Sequence, residues 1–160
     1  MFINCLVFFF IYAFLGWCVE VSFVAITRGK VVNRGFLNGP VCPIYGVGMV
    51  GILYALEPLK DNAIVLFIGG VVICSVLELF TGWILDKILR MRWWDYSDIK
   101  WNFEGYVCVP MAAVWGVLGY IVVKFGDSLL LDLYKLFPEL LMHIILWIIT
   151  GCLIADIVFS

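Results

Sequence analysis

Between Ala63 and Leu85 the chain runs for 23 residues with a single charged side chain, Glu78. As a helix rising ~1.5 Å per residue, such a run spans a hydrocarbon layer of ~30 Å, so lipid is the solvent that governs the fold. Comparable apolar runs cover Phe2–Thr27, Tyr106–Phe125 and 138–160, and a shorter one covers Pro43–Leu56. With 65% hydrophobic residues and a mean hydropathy of +1.12, the chain lies far outside the composition of soluble domains. These features predict an all-α integral membrane protein with about five transmembrane helices.

The stretches between the spans are unusual. "NRGFLNGPVCPIYGVG" (Asn33–Gly48) crowds glycine, proline and asparagine into a chain otherwise dominated by apolar residues. Non-helical backbone at membrane depth needs hydrogen-bond partners, so it is tolerated where protein buries it or where it lines a wet cavity. The amides of Asn33, Asn38 and Asn102 can supply such partners. "EPLKDN" (Glu57–Asn62) reads as a tight polar turn. A polar, aromatic loop is expected from Asp86 to about Gly105. In "DSLLLDLYKLF" (127–137) the leucines fall near one helical face, predicting an interfacial helix, with Pro138 opening the last span.

Downstream, "NFEGYVCVPMAAVWGVLG" (Asn102–Gly119) repeats the outline of the first motif. Gly39 aligns with Gly105, Cys42 with Cys108, and Tyr45-Gly46 loosely with Trp115-Gly116, after four additional residues in the second copy. Each copy follows an apolar span bearing one glutamate. The expected organisation is a single membrane domain over 1–160. Within it lie a repeat unit of about 1–57, a second of about 62–125, an interfacial helix of about 127–137 and a last span of about 138–160. The repeat is parallel, with both Gly/Pro-rich loops on the cytoplasmic side. Of the ten lysines and arginines, seven (Arg28, Lys30, Arg34, Lys87, Arg90, Arg92 and Lys100) follow spans one and three. The positive-inside rule then places the N-terminus outside and the C-terminus inside.

The candidate substrate or ion site consists of Glu20, Glu78 and Asp156, with Asn33, Arg34 and Asn102. A charged carboxylate at the centre of a span costs ~2.5–3.5 kcal/mol on insertion scales, so such residues face protein or a cavity and mark function by default. Arg90, Arg92, Trp93, Trp94, Asp95 and Tyr96 are headgroup or interface candidates, because indoles and basic groups favour the headgroup level. The competing readings are plain ones: a structural partner for Arg34 or a loop amide, and an ordinary aromatic belt. Six singly scattered cysteines and one histidine lack the clustering that zinc or iron–sulfur ligation requires, so no metal or cofactor is expected. A net charge of −2 offers no basic surface to nucleic acid.

Glutamate late in span one, "NRGFLNGPVCPIYGVG", "WWDYS" (Trp93–Ser97), "NFEGYVC" and an aspartate in the last span together resemble the bacterial type IV ABC-transporter permease family, also called CmpB. The resemblance covers nearly the whole chain and implies a transporter subunit in the bacterial cytoplasmic membrane. The chain has no G-x-x-x-x-G-K-[ST] pattern, so ATP dependence requires a separate ATPase subunit. Five spans are few for a translocation path, which predicts a homo-oligomer among membrane lipids. The alternatives are a membrane-embedded enzyme acting on lipid headgroups and a non-catalytic assembly subunit. The enzyme is the less favoured, since no Ser/His or Cys/His nucleophile pattern supports it.

Overall fold

The computed structural model describes residues 2–33, 37–126, 130, 132 and 134–159. In chain order the elements are α1 (Phe2–Arg28), α2 (Pro43–Leu56), a 3₁₀ turn (Glu57–Leu59), α3 (Ala63–Ile88), β1 (Asn102–Phe103), β2 (Val107–Cys108), α4 (Val109–Ile121) and α5 (Glu139–Phe159). Among the described residues four helical stretches are long and apolar enough to cross a membrane: Ile3–Arg28, Ala63–Ile88, Val109–Gly126 and Glu139–Phe159. A shorter apolar stretch covers Pro43–Leu59. The all-α multi-pass membrane architecture expected from the sequence is the one observed.

Local chemistry sets the helix ends. α1 stops where Gly29 turns left-handed at φ 64° while its N–H still bonds Ala25 O, a C-terminal cap that glycine adopts without steric cost. α2 begins on Pro43, whose missing N–H matters least in a first turn. α3 begins after Asn62, whose side-chain oxygen accepts from the N–H groups of Ile64 and Val65.

The structure corrects two boundaries. α3 runs three residues past the expected end at Leu85, to Ile88, because Asp86 finds a partner in Tyr106 and stays helical. The expected start of the fourth span at Tyr106 lies instead in the turn closing a two-stranded antiparallel ladder that pairs Asn102 with Cys108 and Phe103 with Val107. α4 therefore starts at Val109 and widens into a π-helical turn over Val122–Gly126. Of the expected interfacial helix at 127–137, Leu130, Asp132, Tyr134 and Lys135 are helical, with a Lys135–Asp132 ion pair at 3.1 Å. Residues 127–129, 131 and 133 lie outside the described residues.

The chain forms two compact units, Met1–Val50 with Ser128–Ser160, and Gly51–Asp127. In the first, Val7 and Phe10 of α1 pack with Leu146 of α5, joined by Leu6, Phe9 and Leu153. In the second, α3 and α4 pack along each other on glycines. A Cβ on Gly119 would lie 3.0 Å from the Gly70 Cα, and one on Gly70 would lie 3.0 Å from the Trp115 carbonyl oxygen. Backbone meeting backbone leaves no flexible group to yield, so Gly119→Leu should destabilise unit two by about 1–3 kcal/mol, the range for overpacked interiors. Gly151→Leu, placed where a Cβ meets nothing within 4 Å, should be neutral. Reversible unfolding in mixed micelles compares the two, and equal stabilities would contradict this packing.

Candidate functional site

In the first unit, polar groups on α1 and α5 hold the glycine–proline loop. Asn33 donates through Nδ2 to the carbonyls of Leu37 at 3.1 Å and Asn38 at 3.0 Å. Its side-chain Oδ1 accepts from Trp17 Nε1 on α1 at 2.7 Å. Asp156 on α5 takes the other side of the loop. Its Oδ1 accepts from the Asn38 backbone N–H (3.2 Å) and side-chain amide (3.0 Å), and its Oδ2 from the Gly39 N–H at 2.7 Å. A carboxylate accepting several N–H bonds is among the stronger polar contacts available to a chain. The Cys42 N–H then reaches the Ala13 carbonyl on α1 at 2.9 Å. Glu20, also on α1, accepts from the Tyr45 hydroxyl at 2.7 Å. Arg34, expected beside these acids, lies outside the described residues.

In the second unit, Glu78 of α3 is only 5% exposed, and two elements reach it. The Tyr96 hydroxyl donates to Oε1 at 3.0 Å, and Trp115 Nε1 of α4 donates to Oε2 at 3.2 Å. Tyr96 belongs to a folded polar segment between α3 and α4 that Asn102 brackets. The Asn102 side chain donates to the carbonyls of Ser97 and Ile99 and accepts from the Gly105 N–H. Arg92 pairs with Asp95 at 3.1 Å, donates to the Glu104 carbonyl, and lies 4.9 Å from the Tyr106 ring centroid. Trp94 donates to the Tyr106 carbonyl, and the Tyr106 hydroxyl returns to Asp86 on α3. The rings of Trp94 and Tyr106 both press on Gly82 of α3. Gly105 sits at φ 73°, and a Cβ there would meet Asp95 Oδ1 and Ser97 Oγ at 2.5 Å, so both backbone and space require glycine.

Of the headgroup candidates, Trp94, Asp95, Tyr96 and Arg92 thus bond within this segment or to α3, and Trp93 is half-buried. Arg90 is exposed and holds a left-handed φ of 54°. Trp101 is left-handed too and 81% exposed. The sequence reading did not single out Trp17, Asp86 or Tyr106 as site residues, and it used Tyr45 and Trp115 only as alignment marks. For Tyr45 and Trp115 the signal was present: each is an aromatic donor followed at once by glycine on an apolar helix. No group of three or more His, Cys, Asp or Glu able to hold a metal occurs among the described residues.

The carboxyl of Asp95 is held below the usual range by the Ser97 hydroxyl and N–H, with Arg92 adding to the effect. The hydrogen bond to Asp86 pushes the Tyr106 phenol up, reinforced by desolvation. A depressed carboxyl stabilises the folded segment above its unfolded pKa and loses that contribution as pH falls through the folded value. Asp95→Asn should therefore raise amide exchange across 92–106 at pH 7. The difference from the parent protein should shrink as pH falls below 3.8, the ordinary aspartate value. Exchange mass spectrometry over that pH range tests this, and a difference independent of pH would contradict it.

The family model described as "Putative ABC-transporter type IV" matches residues 7–160. Covering nearly the whole chain, this match places the protein in that family. No curated protein and no solved structure matches it.

Proposed function

We propose that this member of the type IV ABC-transporter family is a permease-type subunit whose working groups are Glu20, Glu78 and Asp156, aided by Asn33, Arg34 and Asn102. One observation carries this reading. The carboxylates set into apolar helices are bonded to the loop after α1, to the opening turn of α2 and to the segment between α3 and α4. Irregular backbone joined to intramembrane acids is how transporters build polar sites between their spans. The loops face the cytoplasm, the N-terminus lies outside, and the membrane is the bacterial cytoplasmic one, in keeping with the lysine and arginine distribution. The repeat units, about 1–57 and 62–125, descend from a duplicated helix–loop–helix. Arg90, Lys100 and the exposed Trp101 meet anionic headgroups. Several copies assemble, and a separate ATPase subunit supplies the P-loop that this chain lacks.

Two experiments test the proposal. Purification from native membranes in mild detergent, followed by mass spectrometry, should recover a P-loop ATPase in stoichiometric amount; repeated recovery of the chain alone would refute the subunit reading. ATP hydrolysis by that complex in nanodiscs should fall at least tenfold in Glu78→Gln and Glu20→Gln, with assembly intact. Asp156→Asn should be milder, because Asp156 lies outside the repeated helix–loop–helix elements. Full hydrolysis in the Glu20→Gln/Glu78→Gln double variant would remove the acids from the function.

A further inference from the structure

The two units hold their glutamates in the same way. In the first, Tyr45 of α2 donates to Glu20, and the next residue, Gly46, packs against Phe9 of α1. A Cβ on Gly46 would lie 2.6 Å from both the ring and the carbonyl oxygen of Phe9. In the second, Trp115 of α4 donates to Glu78, and the next residue, Gly116, packs against Phe67 of α3, with a Cβ there 2.6 Å from the ring. Phe9 precedes Glu20 by eleven residues, and Phe67 precedes Glu78 by the same eleven. Each unit thus brings an aromatic–glycine pair on its second helix onto a phenylalanine and a glutamate at one fixed spacing on its first. The glycine permits the close approach, and the aromatic ring carries the hydrogen bond along the helix to the acid. Neither phenylalanine took part in the sequence alignment of the loops.

We infer that Tyr45 and Trp115 are matched positioning residues of one carboxylate site built twice, with Phe9–Gly46 and Phe67–Gly116 as the seats that aim them. This rests on the reading of Glu20 and Glu78 as working groups, and it adds a chemical distinction between the copies. A phenol both donates and accepts, whereas an indole N–H only donates. Tyr45 can therefore keep its bond to Glu20 whether that carboxyl carries a proton or not. Trp115 can only donate, so when Glu78 takes up a proton the indole bond is strongest with that proton on Oε1. That atom faces the Tyr96 hydroxyl, which can turn from donor to acceptor. The segment between α3 and α4 thus returns to the second copy the reversible hydroxyl that its indole lacks. Among the described residues, the ionisable side chain one turn from Glu78 on its own helix is Cys74; Tyr96 reaches the acid from the segment after α3, and the non-ionisable indole of Trp115 reaches it from α4.

Isotope-edited infrared spectroscopy of the full chain, labelled with ¹³C-glutamate in nanodiscs, reads these bonds without requiring any transport or ATPase assay. A failure here is therefore separable from a failure of the proposed function. Glu20→Gln and Glu78→Gln assign the two carboxyl bands. Tyr45→Phe should shift the Glu20 band alone, and Trp115→Phe or Tyr96→Phe the Glu78 band alone. Tyr45→Trp and Trp115→Tyr, which keep a donor, should leave their bands in the bonded position and show that the fold survives. Gly46→Val and Gly116→Val, which lift the donor off its seat, should shift the same bands as the donor deletions. A Glu20 band indifferent to Tyr45→Phe, or a Glu78 band indifferent to Trp115→Phe, would overturn the assignment. Glycine variants with unmoved bands would overturn the role of the seats.

Discussion

The N–H groups of Asn38 and Gly39 end on the carboxylate of Asp156, and the rest of the first unit depends on that contact being made. Glycine and proline bar the segment from a helix, so its amides lose the partners that a helix would provide. Next to lipid, each unpaired amide would cost several kcal/mol. Asp156 answers the amides from α5, while Asn33 answers the carbonyls of Leu37 and Asn38 from within the chain segment itself. An acid that would be a liability in an apolar helix and a loop that would be a liability at its end thus cancel each other's cost.

The second unit solves the same problem with different parts. Asn102 takes the bracketing role of Asn33, closing on two carbonyls and one N–H. Tyr96 ties the segment to Glu78, and Tyr106 ties it to Asp86, so the end of α3 and the loop that follows hold each other in place. The left-handed backbones of Trp101 and Glu104 are non-glycine conformations that persist only where surrounding contacts over-determine them. The Trp101 carbonyl is in fact fixed by the Val109 N–H at 3.0 Å, at the first residue of α4.

Much of this was legible in the sequence because membrane burial is a one-dimensional constraint. Run length gave the spans, and the cost of an isolated carboxylate marked Glu20, Glu78 and Asp156 before any geometry was known. The asparagines of the motifs were readable as partners for broken backbone, and Asn33 and Asn102 are, whereas the Asn38 side chain bonds Asp156. What sequence could not supply was pairing across the chain. Nothing local to Asp86 announces Tyr106, so the helix end was placed at Leu85 rather than Ile88. The "WWDYS" stretch has the composition of an interfacial belt, yet Trp94 and Tyr96 turn to Tyr106 and Glu78 because a buried carboxylate and a glycine notch at Gly82 lie within reach. The seats at Phe9 and Phe67 were invisible for the same reason: a phenylalanine among apolar residues looks like any other until a glycine is found against it.

Acids hold these loops, and amide exchange at the loop itself reads that most directly. In Asp156→Ala, the Asn38 and Gly39 amides should exchange at least tenfold faster than in the parent protein, while those of Asn102–Cys108 in the other unit keep their rates. Unchanged exchange at Asn38 and Gly39 would show that the loop holds its shape without the carboxylate, and would contradict the account at its base.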